Sequence, residues 1–248
     1  MTKINKLPVA IGLLAVFVAA SPAGAQLAFA NALSSNFNPQ YTSSNPNTYM
    51  GDAYTLAPGT TQITGFDLFP LNATVNNYVG LEVNVWVWGA VNTSGTVNAA
   101  NPAFSDLLGS YTATASGTFS SGYYFPFEDV PGTSPGFTLP APLSIPSTTI
   151  GLTFSYEGTL DGTTYATARN LTSIITSNAP TAGSTALNGY YRGSSTTGNF
   201  TSAINTISGG TYNVAVDIYT ASPVPEPSAL TLACLGAAGL FGLRRRKA

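Results

Sequence analysis

Apolar and polar residues alternate with a period of two in several stretches of the chain, a pattern that predicts β-strands. The alternation is clearest at residues 79–88, 149–157 and 211–220. In residues 79–88 the apolar side carries Val79, Leu81, Val83, Val85 and Val87. The opposite side carries Gly80, Glu82, Asn84, Trp86 and Trp88. We expect each strand to bury its apolar side and to expose the other.

Shorter or weaker alternation predicts further strands, and Asp161-Gly162 predicts a tight hairpin turn. Residues 30–60 and 178–199 are rich in turn-forming residues and predict loops, with Tyr190 and Tyr191 marking a strand inside the second. At least eight antiparallel strands favour an all-β fold, a two-sheet sandwich or jelly roll. The weaker strands are predicted at 62–69, 110–118, 120–127, 137–143 and 171–177.

The first 25 residues have the three parts of a secretory signal peptide. Lys3 and Lys6 precede an apolar run, and Ala23-Gly24-Ala25 is a small-residue cleavage site, which places the cut before Gln26. A second candidate site, Ala28-Phe29-Ala30, follows a few residues later. The alternative is an uncleaved N-terminal anchor, which the short apolar run disfavours.

The other end of the chain predicts a short membrane span. Ala229–Leu243 carries no charge over fifteen residues, about 22 Å as a helix, so it spans a bilayer only with local thinning. The cluster Arg244, Arg245, Arg246 and Lys247 is expected to stay cytoplasmic and to stop transfer, which places the body outside. The prolines at 223, 225 and 227 keep the preceding strip extended, as a processing enzyme requires of its substrate.

This tail resembles a known signal. Val224-Pro225-Glu226-Pro227, a short apolar segment and the terminal basic cluster are similar to the PEP-CTERM sorting signal of Gram-negative bacteria, over about the last 25 residues. The resemblance implies that an exosortase recognises Pro225, Glu226 and Pro227, cuts near them and passes the protein onward. It also implies an exported surface or matrix protein of an exopolysaccharide-producing bacterium. The alternative is a plain tail anchor behind a proline-rich linker.

Together these features predict three parts. Residues 1–25 are the signal peptide helix, 26–222 the β domain, and 223–248 the sorting signal with its transmembrane helix and basic tail. The expected partners are signal peptidase, an exosortase-like enzyme, the inner membrane as a transient site, and exopolysaccharide. The expected location is an inner-membrane-held intermediate, then the cell surface or extracellular matrix.

The composition excludes most catalytic chemistry. The chain has no histidine, and its single Cys234 lies in the C-terminal apolar segment, so His-based triads and His- or Cys-ligated metals are excluded. Carboxylates alone can hydrolyse glycosides; the candidates are Glu82, Glu128, Asp129 and Glu157. Calcium could bind Glu128, Asp129 or Asp161, although no EF-hand loop is present. We predict no catalytic residue, cofactor or metal.

The net charge of the β domain and its two tryptophans indicate which partners it could bind. Residues 26–222 hold nine acidic residues against Arg169 and Arg192, a net charge of about minus seven, which excludes a nucleic-acid partner. Trp86 and Trp88 lie on the polar side of their strand, where they form either a stacking platform for sugars or packing under a loop. We therefore expect an exported, non-enzymatic surface or matrix protein. The alternative is a carbohydrate-binding module, and a glycoside hydrolase ranks third.

Overall fold

The computed structural model describes residues 25–32, 49–92, 97–130, 134–168, 171–187, 189–193 and 212–221. Within these ranges every regular element is a β-strand and none is a helix, and every strand pair is antiparallel. The prediction of an all-β, antiparallel fold is confirmed. The predicted signal-peptide and transmembrane helices lie outside the described residues. No helix suited to crossing a membrane occurs in the described ranges.

Eighteen strands are described, and their lengths differ widely. The first nine are β1 (Ala25–Ala30), β2 (Tyr49–Thr55), β3 (Gln62–Leu68), β4 (Pro70–Asn72), β5 (Tyr78–Val91), β6 (Phe104–Phe119), β7 (Tyr123–Tyr124), β8 (Glu128–Val130) and β9 (Ser134–Pro135). The others are β10 (Phe137–Ser144), β11 (Thr149–Thr159), β12 (Ala166–Thr167), β13 (Leu171–Ser173), β14 (Ile175–Thr176), β15 (Ser184–Thr185), β16 (Tyr191–Gly193), β17 (Asn213–Val214) and β18 (Val216–Ala221).

Two sheets contribute most of the structure. One has four strands in the order β1-β18-β3-β10, and the other has seven, in the order β15-β2-β11-β5-β6 with β12 beside β11 and β16 beside β2. Their inner faces share one hydrophobic core, which includes Phe66 and Ile218 from the smaller sheet and Val85 and Phe154 from the larger. All four side chains are at most 1% exposed. Burial of alternate apolar side chains therefore joins the two sheets.

The three clearest predicted strands are present, with two changes. β5 extends beyond the predicted range at both ends, and its alternation fails at the start, where a register shift lies between Tyr78 and Gly80. Tyr78 is buried there, whereas Val79 is 46% exposed, contrary to the predicted inward position. In the third strand, residues 213–214 and 216–221 form separate strands, and Thr211 lies outside the described residues.

The expectation that one side of each strand is exposed is wrong for β11 and β18. Thr153 and Ser155 on β11, and Asp217 and Tyr219 on β18, are at most 1% exposed. On β11 the reason is a second apolar cluster, which includes Phe104 and covers part of the outer face of the seven-stranded sheet.

Several weaker predictions need correction. Residues 30–60 were expected to be loop, but β2 lies there and pairs with β11 from Tyr49 to Thr55. Residues 120–127 contain only the two-residue β7, because Gly122 adopts a positive φ in a turn. Residues 171–177 are divided into β13 and β14, and residues 110–118 belong to the longer β6.

The other strand and turn predictions agree more closely with the structure. β3 and β10 closely match the predicted ranges 62–69 and 137–143, and β16 begins at Tyr191. β11 and β12 do form a hairpin around Asp161-Gly162, but six residues connect them, so the turn is wider than predicted.

Candidate functional site

The outer face of the seven-stranded sheet is half covered and half open. Across four strands, register pairs Thr167 with Glu157, Glu157 with Glu82, and Glu82 with Thr114. The next row contains Tyr49, Ser155, Asn84 and Thr112, and the row after it contains Gly51, Thr153, Trp86 and Ser110. Several members of these rows are partly or fully exposed, and we use the name open face for six of them: Tyr49, Glu82, Asn84, Trp86, Thr112 and Glu157.

Two aromatic side chains form one corner of the open face. Tyr49 and Trp86 lie with ring centroids 5.7 Å apart and ring planes tilted by 49°. Both are partly exposed, and both pack on the second apolar cluster. They offer a ring surface that is supported from below and reachable from solvent.

Trp88 shares the parity of Trp86 but has a different role. It is 7% exposed, its Nε1 donates to the Thr153 hydroxyl at 3.0 Å, and its ring stacks on Phe104 at 6.2 Å. Tyr191 packs edge-on against Phe104 at 5.2 Å. Trp88 is therefore not part of an exposed stacking surface. Of the two interpretations, packing under neighbouring side chains describes Trp88, and only Trp86 remains available to a ligand.

Two carboxylates lie beside the aromatic corner. Glu82 and Glu157 are direct partners across β5 and β11, and both are partly buried. The pKa of Glu157 is raised, first by burial and then by the negative charge of Glu82. The pKa of Tyr49 is also raised, first by burial and then by Glu157, which places the aromatic corner within electrostatic range of the carboxylates.

A polar link connects the carboxylates to the edge of the sheet. Asn84 Nδ2 donates to Glu82 Oε1 at 3.4 Å, and the Thr112 hydroxyl donates to Asn84 Oδ1 at 2.6 Å. Amide and hydroxyl groups of this kind can both donate to and accept from the hydroxyls of a ligand. The open face thus combines ring stacking, neutral hydrogen bonding and negative charge.

The other carboxylates named as candidates for catalysis or calcium lie elsewhere. Glu128 begins β8, and the side chain of Asp129 is outside the described part of the structure. Asp161 Oδ1 accepts from the amides of Thr163 and Thr164, each at 2.8 Å, and these bonds lower its pKa. Its carboxylate therefore caps the turn. In the described ranges no group of three or more potential metal-ligating side chains is found.

Sequence reasoning missed three buried aspartates. Asp52, Asp67 and Asp217 are each 0% exposed. Asp52 accepts from the amides of Ala53 and Val214 at 2.6 and 2.8 Å, which ties β2 to β17. Burial nevertheless raises its pKa well above the usual value. For Asp67 and Asp217 the sequence offered only an acidic residue inside a predicted strand, which does not reveal burial, and Asp52 lies in a segment predicted to be loop.

Asp67 and Asp217 are direct partners across β3 and β18. Asp67 accepts from the Tyr219 hydroxyl at 2.6 Å and from the Gly136 amide at 2.8 Å. Asp217 Oδ1 accepts from the Ala32 amide at 3.1 Å, whereas its buried Oδ2 has no hydrogen-bond partner. The pKa of Asp217 is raised to about 7, chiefly by burial.

The described residues nearest to the segments expected to be processed lie in β1, at one edge of the four-stranded sheet, and in its neighbour β18. Ala25 and Gln26, at the predicted signal-peptide cleavage site, begin β1, and Ala25 pairs with Ala221 at the end of β18. The second cleavage candidate, residues 28–30, is fully buried. Outside the described residues lie Ala23, the motif Val224, Pro225, Glu226 and Pro227, and the basic cluster Arg244, Arg245, Arg246 and Lys247.

Comparison with known proteins bears on the tail. The family model of the PEP-CTERM protein-sorting motif matches residues 223–247, the region that carries Pro225, Glu226 and Pro227. No curated protein and no solved structure shows significant similarity to the chain. The match supports an exported protein that is sorted by an exosortase through a membrane-anchored intermediate. The chain therefore carries the PEP-CTERM protein-sorting motif in its C-terminal region, as the resemblance predicted.

Proposed function

We propose that this chain is an exported, non-enzymatic surface or matrix protein whose β-rich body is released from the inner membrane by an exosortase-like enzyme. The match to the sorting motif at residues 223–247 carries the proposal. A non-enzymatic body agrees with its composition, because residues 26–222 contain neither histidine nor cysteine. In this proposal the motif is a substrate, and Glu226 and its flanking prolines are read by another protein.

The arrangement of the body supports this sequence of events. Ala25 and Ala221 are register partners, so β1 begins directly beside the end of β18. From Ala221 to Pro225 four residues span at most about 14 Å when extended. The folded body would therefore sit directly beside the membrane or the processing enzyme while the tail is cut.

The structure also favours one N-terminal cleavage position over the other. Cleavage before Gln26 keeps five of the six residues of β1. Cleavage after Ala30 would remove the strand, including Phe29, which is 0% exposed and packs edge-on against Tyr54 at 4.7 Å. We infer that the mature body begins at Gln26, because the loss of β1 would open the core.

Export of a Glu226→Ala variant tests recognition of the motif. In a host with its own exosortase, we expect this variant to accumulate as a membrane-bound, unprocessed form, whereas wild type is released. Asp106→Asn is the matched control, since it removes one negative charge from an exposed position of the body. Normal release of Glu226→Ala would remove Glu226 from the recognition step.

A second candidate role is binding of exopolysaccharide, and the open face is the observation that favours it. The supported ring pair Tyr49–Trp86 adjoins an amide, a hydroxyl and two carboxylates, the groups that bind sugar rings and their hydroxyls. Trp86→Ala should abolish retention on immobilised polysaccharide from the host. Tyr123→Ala, which removes a 66% exposed aromatic on β7, should retain it; equal retention by both variants would exclude the open face.

A further inference from the structure

We propose that the open face selects glycans that carry free amino groups, with the ammonium bound between Glu82 and Glu157 and a sugar ring stacked on Trp86 and Tyr49. This inference rests on the second candidate role above and names its ligand class. Its first support is the register, which places Glu82 and Glu157 directly opposite each other. Like charges in directly opposed positions destabilise a sheet, and a bound cation would remove that repulsion.

The protein supplies no such cation among its described side chains. They include neither lysine nor arginine nor histidine, and the described neighbours of the two carboxylates, Asn84 beside Glu82 and Glu82 beside Glu157, are neutral or acidic. Glu157 is also partly desolvated, which strengthens its attraction for a cation placed beside it. Within the part of the chain whose side chains the structure describes, the pair is thus an uncompensated negative site at a surface reachable by a ligand.

The aromatic corner adds the second half of the recognition. Trp86 and Glu82 lie on one side of β5, four residues apart, which corresponds to roughly 13 Å along the strand. This distance exceeds a single sugar ring, so an oligosaccharide can stack at the corner while a neighbouring unit reaches the carboxylates. Rings that face a cationic sugar also gain cation–π attraction.

Charge also determines which glycans are excluded. The body carries a net charge of about minus seven, and two of its carboxylates, Glu82 and Glu157, lie on the open face at the point of contact. Uronate-bearing or sulfated polysaccharides would meet repulsion both at a distance and on contact. N-acetylated sugars could stack and hydrogen-bond through Asn84 and Thr112, but they would leave Glu82 and Glu157 uncompensated.

Isothermal titration of the full chain, held in a polyoxyethylene detergent without sugar head groups, tests the proposal. The probes are a glucosamine hexamer, an N-acetylglucosamine hexamer and a galacturonate oligomer, at mildly acidic pH where the amines are protonated. We expect the glucosamine hexamer to bind at least about tenfold more tightly than its acetylated counterpart, the range of a charge-assisted hydrogen bond. This preference should weaken as salt is added, and the galacturonate oligomer should not bind.

Conservative variants separate the two halves of the site. Glu157→Gln and Glu82→Gln should each lose about tenfold in affinity for the glucosamine hexamer and keep their affinity for the acetylated one. Trp86→Ala should lose affinity for both hexamers. Asp106→Asn, with the same change of net charge outside the open face, should match wild type. Retention of the acetylated hexamer by the glutamine variants shows that they are folded.

Three outcomes would overturn the proposal. Equal affinity for the two hexamers would exclude an ammonium site but leave glycan binding intact. Absence of binding to any glycan would exclude both the inference and the second candidate role, without touching the sorting role. Calcium chloride that binds Glu82 and Glu157 in the absence of sugar, and blocks the glucosamine hexamer, would identify the pair as an ion site instead.

Discussion

The burial of Asp217, directly opposite Asp67, makes stability depend on pH, and Asp217→Asn isolates that dependence. Asp217 is 0% exposed, lies opposite Asp67 and leaves Oδ2 without a hydrogen-bond partner. Burial raises its pKa first, and the charges of Asp67 and Glu128 add to that, while hydrogen bonds from Ala32 and Asn31 act in the opposite direction. The net result is a pKa of about 7.

The sign of the effect follows from proton binding. Between the ordinary value of 3.8 and about 7, the folded protein holds a proton on Asp217 that the unfolded chain has released. Stability from this group is complete below the unfolded pKa and is lost as pH rises through the folded pKa. The slope is about 1.4 kcal/mol per pH unit, and the total is about 4 kcal/mol.

Urea denaturation of wild type and Asp217→Asn from pH 5 to pH 8 measures this slope. An amide carries no charge to desolvate. The free energy of unfolding of the variant should therefore depend on pH less steeply, by the contribution of one proton, and the variant should be more stable than wild type at pH 8. The residual slope belongs to other buried acids such as Asp52, whose pKa is also raised by burial. Identical slopes for the two proteins, or wild-type stability that rises with pH, would refute the reasoning.

Three further substitutions test the packing, each by the free energy of unfolding against the exposed control Ser116→Ala. Phe29→Ala should cost about 3–5 kcal/mol, because it leaves a cavity in the core beneath β1; a loss near zero would show that β1 is dispensable. Trp88→Phe should cost about 1–3 kcal/mol, since it leaves the buried Thr153 hydroxyl without its donor. An unchanged stability would contradict the buried position. Gly151→Ala should cost about 1–3 kcal/mol, because the added methyl would collide with the Phe104 ring; stabilisation would show that Phe104 can move.

Local patterns predicted some of the strands whose inner faces meet the main core, but not β1 or β2, which contribute Phe29 and Tyr54 to it. β5 and β11 were visible because Leu81 to Val87 and Ile150 to Tyr156 alternate without interruption, and a two-residue period is what a sheet imposes. β2 was missed because Gly51 and Asp52 interrupt its alternation. Asp52 is accommodated there by amides of β17. One of them, the backbone amide of Val214, is 162 residues away in the sequence. No local pattern contains that information.

The candidate site was predicted only in part for the same reason. Alternation correctly placed Trp86 and Trp88 on one side of β5, but tertiary packing of Phe104 and Tyr191 decides that Trp88 is covered. Tyr49, which completes the aromatic corner, comes from a segment expected to be loop. The pairing of Glu82 with Glu157 depends on the register of β5 and β11, which alternation alone does not fix. The sorting motif could be recognised from the sequence because its residues are contiguous.

The intact mass of the protein released by a host with its own exosortase tests the central proposal most directly. The account predicts a chain that begins at Gln26, ends near Pro225–Pro227 and lacks both Ala229–Leu243 and the basic cluster. A released chain that still carries Leu243 and the residues after it would contradict processing at the sorting motif.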